Sequence, residues 1–287
     1  MFTSLDCLPC FMSQAIRGAR SAAPDRKDLH AEVARETAKF LAQADFDRSP
    51  PDLAHELFAR NSTILGNHDP FLEYKRRANA RVKELLPELR AMVEADRSNG
   101  GDPLRKALNL AIIGNYMDAG ITRVYDWEQA LADEDAAAYG HDAYERFQAE
   151  VQKGARVLIL GDNAGEIGLD TLLVAELLNL GCDVTFAVRG GPILNDATMD
   201  DAVEMGMTKL CRVLDSGLAA PGTILGKINV ELQQELDAAD VVLSKGQGNF
   251  EALVDRKPGV YFAFKAKCEV VAGFFGVEQG QSLFLYQ

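Results

Sequence analysis

One short segment, Arg156 to Glu166, constrains the fold of this chain more than any other. It begins with the apolar run Val157-Leu-Ile-Leu160, which is typical of a buried strand. The polar run Gly-Asp-Asn-Ala-Gly-Glu follows without a break, and an amphipathic pattern from Ile167 to Leu180 predicts a helix after it. Acidic and amide side chains at such a junction are suited to a hard cation, and the helix N-terminus to an anion. The segment therefore predicts a strand–loop–helix unit with a ligand site in its loop.

The second half of the chain continues this alternation of apolar strands and helical patterns. The predicted strands are 157–160, 184–188, 209–214, 241–244 and 260–264, and the helices between them are 168–180, 198–205 and 224–238. Near-continuous apolar strands separated by helices favour an α/β fold with a mostly parallel sheet, because such strands are buried on both faces. We therefore expect helices on both faces of one sheet.

The first half of the chain is helical in pattern, with apolar residues spaced three and four apart. The predicted helices are 10–20, 26–44, 51–65, 70–95, 103–118, 126–132 and 142–153. Several begin with a capping residue directly before Pro, as at Asp69-Pro70 and Asp102-Pro103, which is typical of a helix N-terminus. The change of pattern predicts a helical domain at 1–153 and an α/β domain at 154–287.

Charge and hydropathy exclude several classes of function. The net charge of −13, from 30 basic and 43 acidic residues, argues against a nucleic-acid-binding protein, which needs a basic surface. No apolar run is long enough to span a membrane, and the N-terminus lacks the pattern of a signal peptide. We therefore expect a cytoplasmic protein without nucleic-acid or membrane partners, whose oligomeric state the sequence leaves open.

Polar residues that follow separate predicted strands form a candidate metal site. Asp162 and Asn163 follow the first strand, and Asp196 lies in the loop after the second. The carboxyl ends of parallel strands share one edge of a sheet, where ligands bind. Two carboxylates and an amide oxygen suit Mg²⁺ or Mn²⁺, and the absence of His and Cys from these loops counts against zinc. The alternative is that each Asp simply caps the helix after it.

Other polar residues at the same predicted edge are candidates for binding an anionic substrate. Lys245 could reach a phosphoryl oxygen as a point charge, and Gly246 after it would let backbone N–H groups approach the same anion. Ser216 could also contact an anion, whereas Arg189 and Glu166 could orient a substrate or a water molecule bound to the metal. The alternatives are a solvated surface lysine and a plain turn around Ser216. The glycine spacing matches neither the dinucleotide-binding fingerprint nor the P-loop.

Two further polar residues, Asn115 and Asp118, lie three apart at the end of an apolar helical run. Residues at this spacing share one face of a helix. They either face the crevice at the sheet edge or cap the end of the helix, and we expect the crevice because the sheet edge needs a cover.

The pair Cys7 and Cys10 has the spacing of half a metal site, but no second pair completes it. Three interpretations stay open: a structural zinc site, a redox pair, or two thiols that pack at the start of the first helix.

Five motifs, taken together and in order, resemble those of the metal-dependent damage-control phosphatases, a family long labelled a domain of unknown function. The motifs are Cys7-Leu-Pro-Cys-Phe11, Gly114-Asn115 with Asp118, Gly161-Asp-Asn-Ala-Gly-Glu166, Leu194-Asn-Asp-Ala-Thr198 and Lys245-Gly-Gln-Gly-Asn-Phe-Glu251. The N-terminal Cys-x-x-Cys is similar to that of the mainly prokaryotic branch of the family.

The resemblance implies a helical N-terminal domain over a Rossmann-like α/β domain, and a phosphatase that hydrolyses phosphate monoesters of small metabolites. It implies a divalent metal (Mn²⁺, Co²⁺, Ni²⁺ or Mg²⁺) on Asp162, Asn163 and Asp196, with Lys245 on the phosphate. It also implies that Asn115 and Asp118 lie near the substrate.

The nucleophile stays open between water and one of the two Asp side chains. A metal- or metabolite-binding protein without turnover is an alternative function. A methyltransferase is a weaker one, because it should carry an acidic residue at the end of the second strand, where this chain has Val188-Arg189-Gly190.

Overall fold

The computed structural model describes residues 1–114 and 139–287, and the first part of the chain consists of helices. These are α1 (Cys7–Ala22), α2 (Lys27–Leu41), α3 (Pro50–Leu65), α4 (Leu72–Ser98), α5 (Pro103–Ile113) and α6 (Tyr144–Glu150). The helical character predicted for this half is confirmed. The predicted helix 126–132 and the last residues of the predicted helix 103–118 lie outside the described residues.

Two of the predicted helix starts have different outcomes. Asp102 caps α5 as expected, because its carboxylate accepts a hydrogen bond from the backbone N–H of Arg105 and Pro103 is the first helical residue. Asp69 does not cap α4, which begins at Leu72. The carboxylate of Asp69 instead forms a 2.7 Å ion pair with Lys75 one turn into the helix.

The second part of the chain alternates strands and helices. Its elements are β1 (Arg156–Leu160), α7 (Glu166–Asn179), β2 (Asp183–Val188), α8 (Met199–Glu204), β3 (Arg212–Asp215), α9 (Val230–Ala238), β4 (Val241–Lys245), α10 (Gln247–Leu253), β5 (Val260–Lys265), α11 (Glu269–Phe275) and β6 (Ser282–Tyr286). All five predicted strands are confirmed, with β3 starting three residues later than predicted because residues 207–209 form a 3₁₀ turn. Helix α9 starts at Val230, not at residue 224, because the side chain of Asn229 caps it there. Sequence reasoning missed α10, α11 and β6.

One six-stranded sheet with the order β3-β2-β1-β4-β5-β6 organises the second part. Strands β1 to β5 are parallel, and β6 runs antiparallel to β5. The chain continues from β1 to β2 on one side and returns to the other side of β1 for β4, and the helices that follow β1 and β4, α7 and α10, lie on opposite faces of the sheet. A crevice at this reversal is where open α/β sheets bind ligands.

The helices cover both faces of the sheet, which confirms the predicted α/β architecture. On one face, α4, α5 and α7 share a hydrophobic core with the strands, including Val82, Leu108, Leu173 and Ile159. On the other face, residues of α9, α10 and α11 pack against Phe262 and other strand residues. Because α4 and α5 belong to the same core as the sheet, this part of the helical region packs directly on the sheet. The division into two domains after residue 153 stays a prediction.

No helix within residues 1–114 and 139–287 has both the length and the apolar character needed to cross a membrane. The cytoplasmic location stays a prediction.

Candidate active site

The two loops that carry the predicted metal ligands lie side by side. Asn163 and Asp196 pair as an isolated antiparallel β-bridge between the loops after β1 and β2. The backbone N–H of Ala197 donates to the carbonyl oxygen of Asp162 at 2.8 Å, and that of Ala164 donates to Asn195 at 2.9 Å. Two strand ends thus bring Asp162, Asn163 and Asp196 together, and all three side chains are buried.

Arg189, at the end of β2, connects the two acidic residues. Its Nε donates to Asp196 at 2.6 Å and its Nη2 lies 3.4 Å from an oxygen of Asp162. Its Nη1 donates to the side chain of Asn249 at 3.0 Å. The guanidinium, which is only 3% exposed, therefore holds the two carboxylates close to each other.

Lys245 lies deeper than the sequence predicts. Its ammonium group has no exposed surface and donates to Glu166 and Asp170, each at 2.7 Å, and to the carbonyl oxygen of Ala111 at 2.9 Å. Burial lowers the pKa of Lys245, but the charges of Asp170 and Glu166 outweigh burial and raise it above its usual value. The solvated alternative is wrong. Direct contact with a phosphoryl oxygen stays a prediction, and it would require the ammonium to give up one of three protein acceptors.

Glu166 connects Lys245 to the loop after β1, which carries the predicted metal ligands Asp162 and Asn163. One of its oxygens binds Lys245, and the other accepts a hydrogen bond from the amide of Asn163 at 3.2 Å. The same amide nitrogen donates to Asp162 at 2.8 Å. Both of these hydrogen bonds use the amide nitrogen of Asn163, and the amide oxygen is the atom that a cation would bind. Burial raises the pKa of Glu166, although the charge of Lys245 opposes that effect.

Gly246 is required by close packing against the same loop. Its φ angle of +79° lies in the left-handed region, and a Cβ there would lie 2.1 Å from the carboxylate carbon of Asp162. The backbone after β4 therefore runs directly beside Asp162. Any side chain at position 246 would displace that carboxylate.

The site holds more buried negative charge than positive charge. Asp162, Glu166, Asp170 and Asp196 are all buried, against Arg189 and Lys245. Burial raises the pKa of Asp196 to about 7, with the charge of Asp162 adding to the effect and Arg189 opposing it. A cluster in which buried carboxyl groups outnumber buried basic groups supplies the oxygen donors that a hard divalent cation binds.

The donor set also limits how a cation could be held. In the part of the chain that the structure describes, no three His, Cys, Asp or Glu side chains meet closely enough to bind one ion. Two carboxylates would therefore need the amide oxygen of Asn163, and further positions would be left for water or substrate.

Comparison with known proteins decides which family this site belongs to. Residues 3–283 match the model of the damage-control phosphatase ARMT1-like domain. The chain is 31% identical to the damage-control phosphatase PH1575 of Pyrococcus horikoshii, over 98% of this chain and 96% of that one. It is 32% identical to a damage-control phosphatase of Archaeoglobus fulgidus, over 96% of this chain and 95% of that one. The chain belongs to the damage-control phosphatase family.

A solved structure agrees with this membership. The crystal structure of PH1575, described as a DUF89 family protein from Pyrococcus horikoshii, matches with a TM-score of 0.87 at 28% identity. The match covers 100% of this chain and 99% of the other. The resemblance to this family, the fold class and the phosphatase class of the predicted enzyme are confirmed.

Asn249 is a site residue that sequence reasoning left without a role. Its side-chain oxygen accepts hydrogen bonds from Arg189 and from the backbone and hydroxyl of Thr223 at 2.8–3.0 Å. Its amide nitrogen donates to the carbonyl oxygens of Gly161 and Lys245. One fully buried amide thus fixes the ends of β1, β2 and β4 relative to one another. The Gly-Gln-Gly-Asn order after Lys245 was the signal that could have found it.

Asp170 is the second missed residue. It lies four residues after Glu166 on α7, a spacing that places both carboxylates on one face of the helix. Both bind Lys245, and the second oxygen of Asp170 has no hydrogen-bond partner within the described residues. The helical spacing was visible in the sequence, but the direction of the face was not.

Lys267 is the third missed residue, and it is the exposed cation of the site. It follows β5, and its backbone N–H donates to the side chain of Gln247 at the start of α10. Its charge lowers the pKa values of Glu166 and Asp196, in opposition to burial, which raises them. The side chain of Lys267 is exposed, and its charge has the sign that attracts an anionic substrate. The position after a fifth parallel strand was the available signal.

Three of the predicted substrate contacts are not placed at the site: Ser216 has other partners, and the other two residues lie outside the described residues. The hydroxyl of Ser216 accepts from the backbone of Gly190 and donates to the carbonyl oxygen of Leu218, so its hydrogen bonds shape the loop after β3. Asn115 and Asp118 lie outside the described residues. Gly114, directly before them, packs so closely on Glu166 that a Cβ would lie 3.0 Å from its side chain.

The Cys7 and Cys10 thiols lie at the N-terminal end of α1. Cys7 is half-buried and packs beside Phe11 and Phe40, whereas Cys10 is exposed. Burial raises the pKa of Cys7 to about 11 and also raises that of Cys10, so both are protonated thiols at neutral pH. Their role in a zinc site or a redox pair stays a prediction.

Proposed function

We propose that this chain hydrolyses phosphate monoesters of small metabolites at the ends of β1 and β2, with one divalent cation held by Asp162, Asn163 and Asp196. The observation that carries the proposal is the pair of buried carboxylates, Asp162 and Asp196, that Arg189 holds together at the ends of β1 and β2. Oxygen donors of this kind suit Mn²⁺, Co²⁺, Ni²⁺ or Mg²⁺.

The residues of this chain would divide the work on the phosphate. When bound, the cation would polarise a phosphoryl oxygen and stabilise the charge that develops on it. Arg189 holds the two carboxylates in place through bonds to both. Lys267, an exposed residue directly after β5, would add positive charge that attracts the anionic substrate. Lys245 instead holds Glu166 and Asp170 in place through ion pairs in the protein interior.

Water is the better nucleophile for this arrangement. Both Asp162 and Asp196 are engaged by Arg189, and a carboxylate held by a guanidinium is poorly free to attack phosphorus. A single displacement by water inverts the configuration at phosphorus, whereas an aspartyl-phosphate intermediate would retain it. The steric course with a chiral phosphate monoester therefore distinguishes the two routes, and retention would contradict this assignment.

The function is tested with p-nitrophenyl phosphate, with and without Mn²⁺. We expect hydrolysis that depends on Mn²⁺ and a loss of at least about a hundredfold in kcat for Asp162→Ala, on the scale of removing a principal electrostatic contributor. The matched control is Asp183→Ala, an exposed residue at the start of β2 and the opposite edge of the sheet. Its activity should equal that of the wild type.

Other outcomes assign a different function. Equal activity of the wild type and Asp162→Ala would contradict the proposed site. Binding of Mn²⁺ without turnover of any member of a panel of phosphorylated metabolites would favour a metal- or metabolite-binding protein. The same panel, read as kcat/KM, would rank the substrates.

A further inference from the structure

Asn79 belongs to the helical region, but its side chain is directed at the loops of the sheet. It lies on α4 and has no exposed surface. Helix α4 packs tightly on α7 here, since a Cβ on Gly168 would lie 2.6 Å from the side chain of Val82. A buried amide must satisfy both its oxygen and its nitrogen, so its partners identify what it holds.

The oxygen of this amide holds the loop after β1. The backbone N–H of Gly165 donates to Asn79 Oδ1 at 2.7 Å. Gly165 has a φ angle of +78°, and a Cβ there would lie 3.1 Å from that of Ala78, so α4 presses directly on this loop. The same loop carries Asp162 and Asn163, three and two residues before Gly165.

The nitrogen of the amide holds the segment after the second metal loop. Asn79 Nδ2 donates to Asp201 at 2.8 Å and to Glu204 at 3.0 Å. The other oxygen of Asp201 accepts from the backbone and the hydroxyl of Thr198, each at 2.8 Å. Thr198 follows Asp196 by two residues, so this cap fixes the backbone that carries the second carboxylate.

We propose that Asn79 is a positioning residue of the phosphatase site, which holds the two metal loops at the spacing that a shared cation needs. One side chain from the helical region thus bonds the loop after β1 and the first turn of α8, which follows the loop after β2. It adds to the contacts that Arg189 and the bridge at Asn163 and Asp196 make between the two loops. The inference rests on the proposed function, because it concerns the ligands assigned there.

The identity of the residue follows from its partners. An amide can accept from Gly165 and donate to two carboxylates at once, whereas Asp at this position would add a third carboxylate beside Asp201 and Glu204. Alanine would leave the N–H of Gly165 and both carboxylates without this partner. Removing a residue that orients metal ligands typically weakens metal affinity by about 10–100-fold.

The test is the affinity for Mn²⁺ without substrate, measured by the EPR signal of free Mn²⁺, together with kcat and KM for p-nitrophenyl phosphate. We expect Asn79→Ala to weaken Mn²⁺ binding by at least about tenfold and to lower kcat. The control is Val82→Ala, one turn along the same helix and fully buried against α7, which removes packing without touching either loop. Val82→Ala should keep the affinity for Mn²⁺ within about twofold of the wild type, even if its Tm falls as much as that of Asn79→Ala.

A double variant tests the hydrogen bonds themselves and covers the case in which Asn79→Ala does not fold. Asn79→Asp alone should weaken Mn²⁺ binding, because like charges then face each other. Adding Asp201→Asn returns a donor to the partner and keeps its acceptor for Thr198, so the affinity should recover in part, while Glu204 still faces the new carboxylate.

Three results would overturn the proposal: an unchanged affinity in Asn79→Ala, an equal loss in Val82→Ala, or no recovery in the double variant. A wild type that does not bind Mn²⁺ would instead remove the proposed metal site, and this inference with it.

Discussion

Two neighbouring clusters, one around Arg189 and one around Lys245, each place a single cation between two carboxylates. Around Lys245 the ammonium has no exposed surface and all three of its protons meet acceptors within 2.9 Å. Around Arg189 one carboxylate lies at 2.6 Å and the other at 3.4 Å, at the strand ends where exposed Lys267 also acts. Both clusters are buried, but the inner cation has short hydrogen bonds to both of its carboxylates, whereas the outer cation does not. We therefore expect the inner cluster to stabilise the fold and the outer cluster to take part in the chemistry.

The largest expected effect is a loss of stability when the cation of the inner cluster, Lys245, is removed. Lys245→Met leaves Glu166 and Asp170 buried without their cation, and removing one partner of a buried ion pair destabilises a protein by about 3–5 kcal/mol. The free energy of unfolding from urea denaturation measures the loss. The control is Lys257→Met, whose ion pair with Asp237 is partly exposed and should contribute less than about 1 kcal/mol. Equal effects of the two variants would refute the structural role of the inner cluster.

The next largest effect is a loss of activity when the cation of the outer cluster, Arg189, is replaced. Arg189→Lys keeps the charge but cannot reach Asp162, Asp196 and Asn249 together, so the two carboxylates lose their common anchor. We expect kcat for p-nitrophenyl phosphate to fall by about a hundredfold, the scale of a small misplacement of reacting groups. The control Arg212→Lys, in a half-exposed pair with Glu231, should retain full activity. Wild-type kcat in Arg189→Lys would show that the anchor is dispensable.

A smaller effect tests the exposed cation of the outer cluster. Lys267→Ala should lower kcat/KM by about tenfold, the scale of one hydrogen bond to a charged group. The Tm should stay within about 2 °C, because the side chain is exposed. Lys209→Ala, which also removes an exposed lysine, serves as the control. A fall in Tm without a change in kcat/KM would place Lys267 among the structural residues.

The smallest effect concerns the pH dependence of stability. Burial raises the pKa of Glu251 to about 7, although the hydrogen bond from Gln247 opposes it. A carboxyl whose pKa is raised on folding binds its proton more tightly in the folded state, so its contribution to stability falls as the pH rises from about 4.5 to 7. The half-buried position reduces the expected change to about 1 kcal/mol. Glu251→Gln should therefore raise the Tm relative to wild type at pH 8 but not at pH 5, and equal shifts at both pH values would contradict this.

The close approach of the loops after β1 and β2 could be predicted from the sequence, because it follows from the strand pattern and from the parallel arrangement of the strands. An apolar run such as Val157–Leu160 must be buried, and parallel strands end at one edge. The polar residues that follow β1 and β2 must then lie near one another at that edge. Sequence reasoning missed β6 because it pairs antiparallel at the edge of the sheet, after α11, which was also missed.

The direction of individual side chains could not be predicted in the same way. Lys245 points inward because Glu166 and Asp170 on α7 offer it two carboxylates, and that pairing exists only after the helix packs on the sheet. Asn79 is 122 residues from Asp201, so their bond depends on how α4 docks. Ion pairs and amide bridges between elements far apart in sequence leave no periodic signal.

The central claim is that the outer cluster binds one divalent cation and the inner cluster does not. Titration of Mn²⁺ by EPR in wild type, Asp196→Asn and Asp170→Asn tests it most directly, because each variant removes one carboxylate from one cluster. We predict one Mn²⁺ per chain in wild type, an affinity at least about tenfold weaker in Asp196→Asn, and an unchanged affinity in Asp170→Asn. Full affinity in Asp196→Asn, or its loss only in Asp170→Asn, would contradict the account.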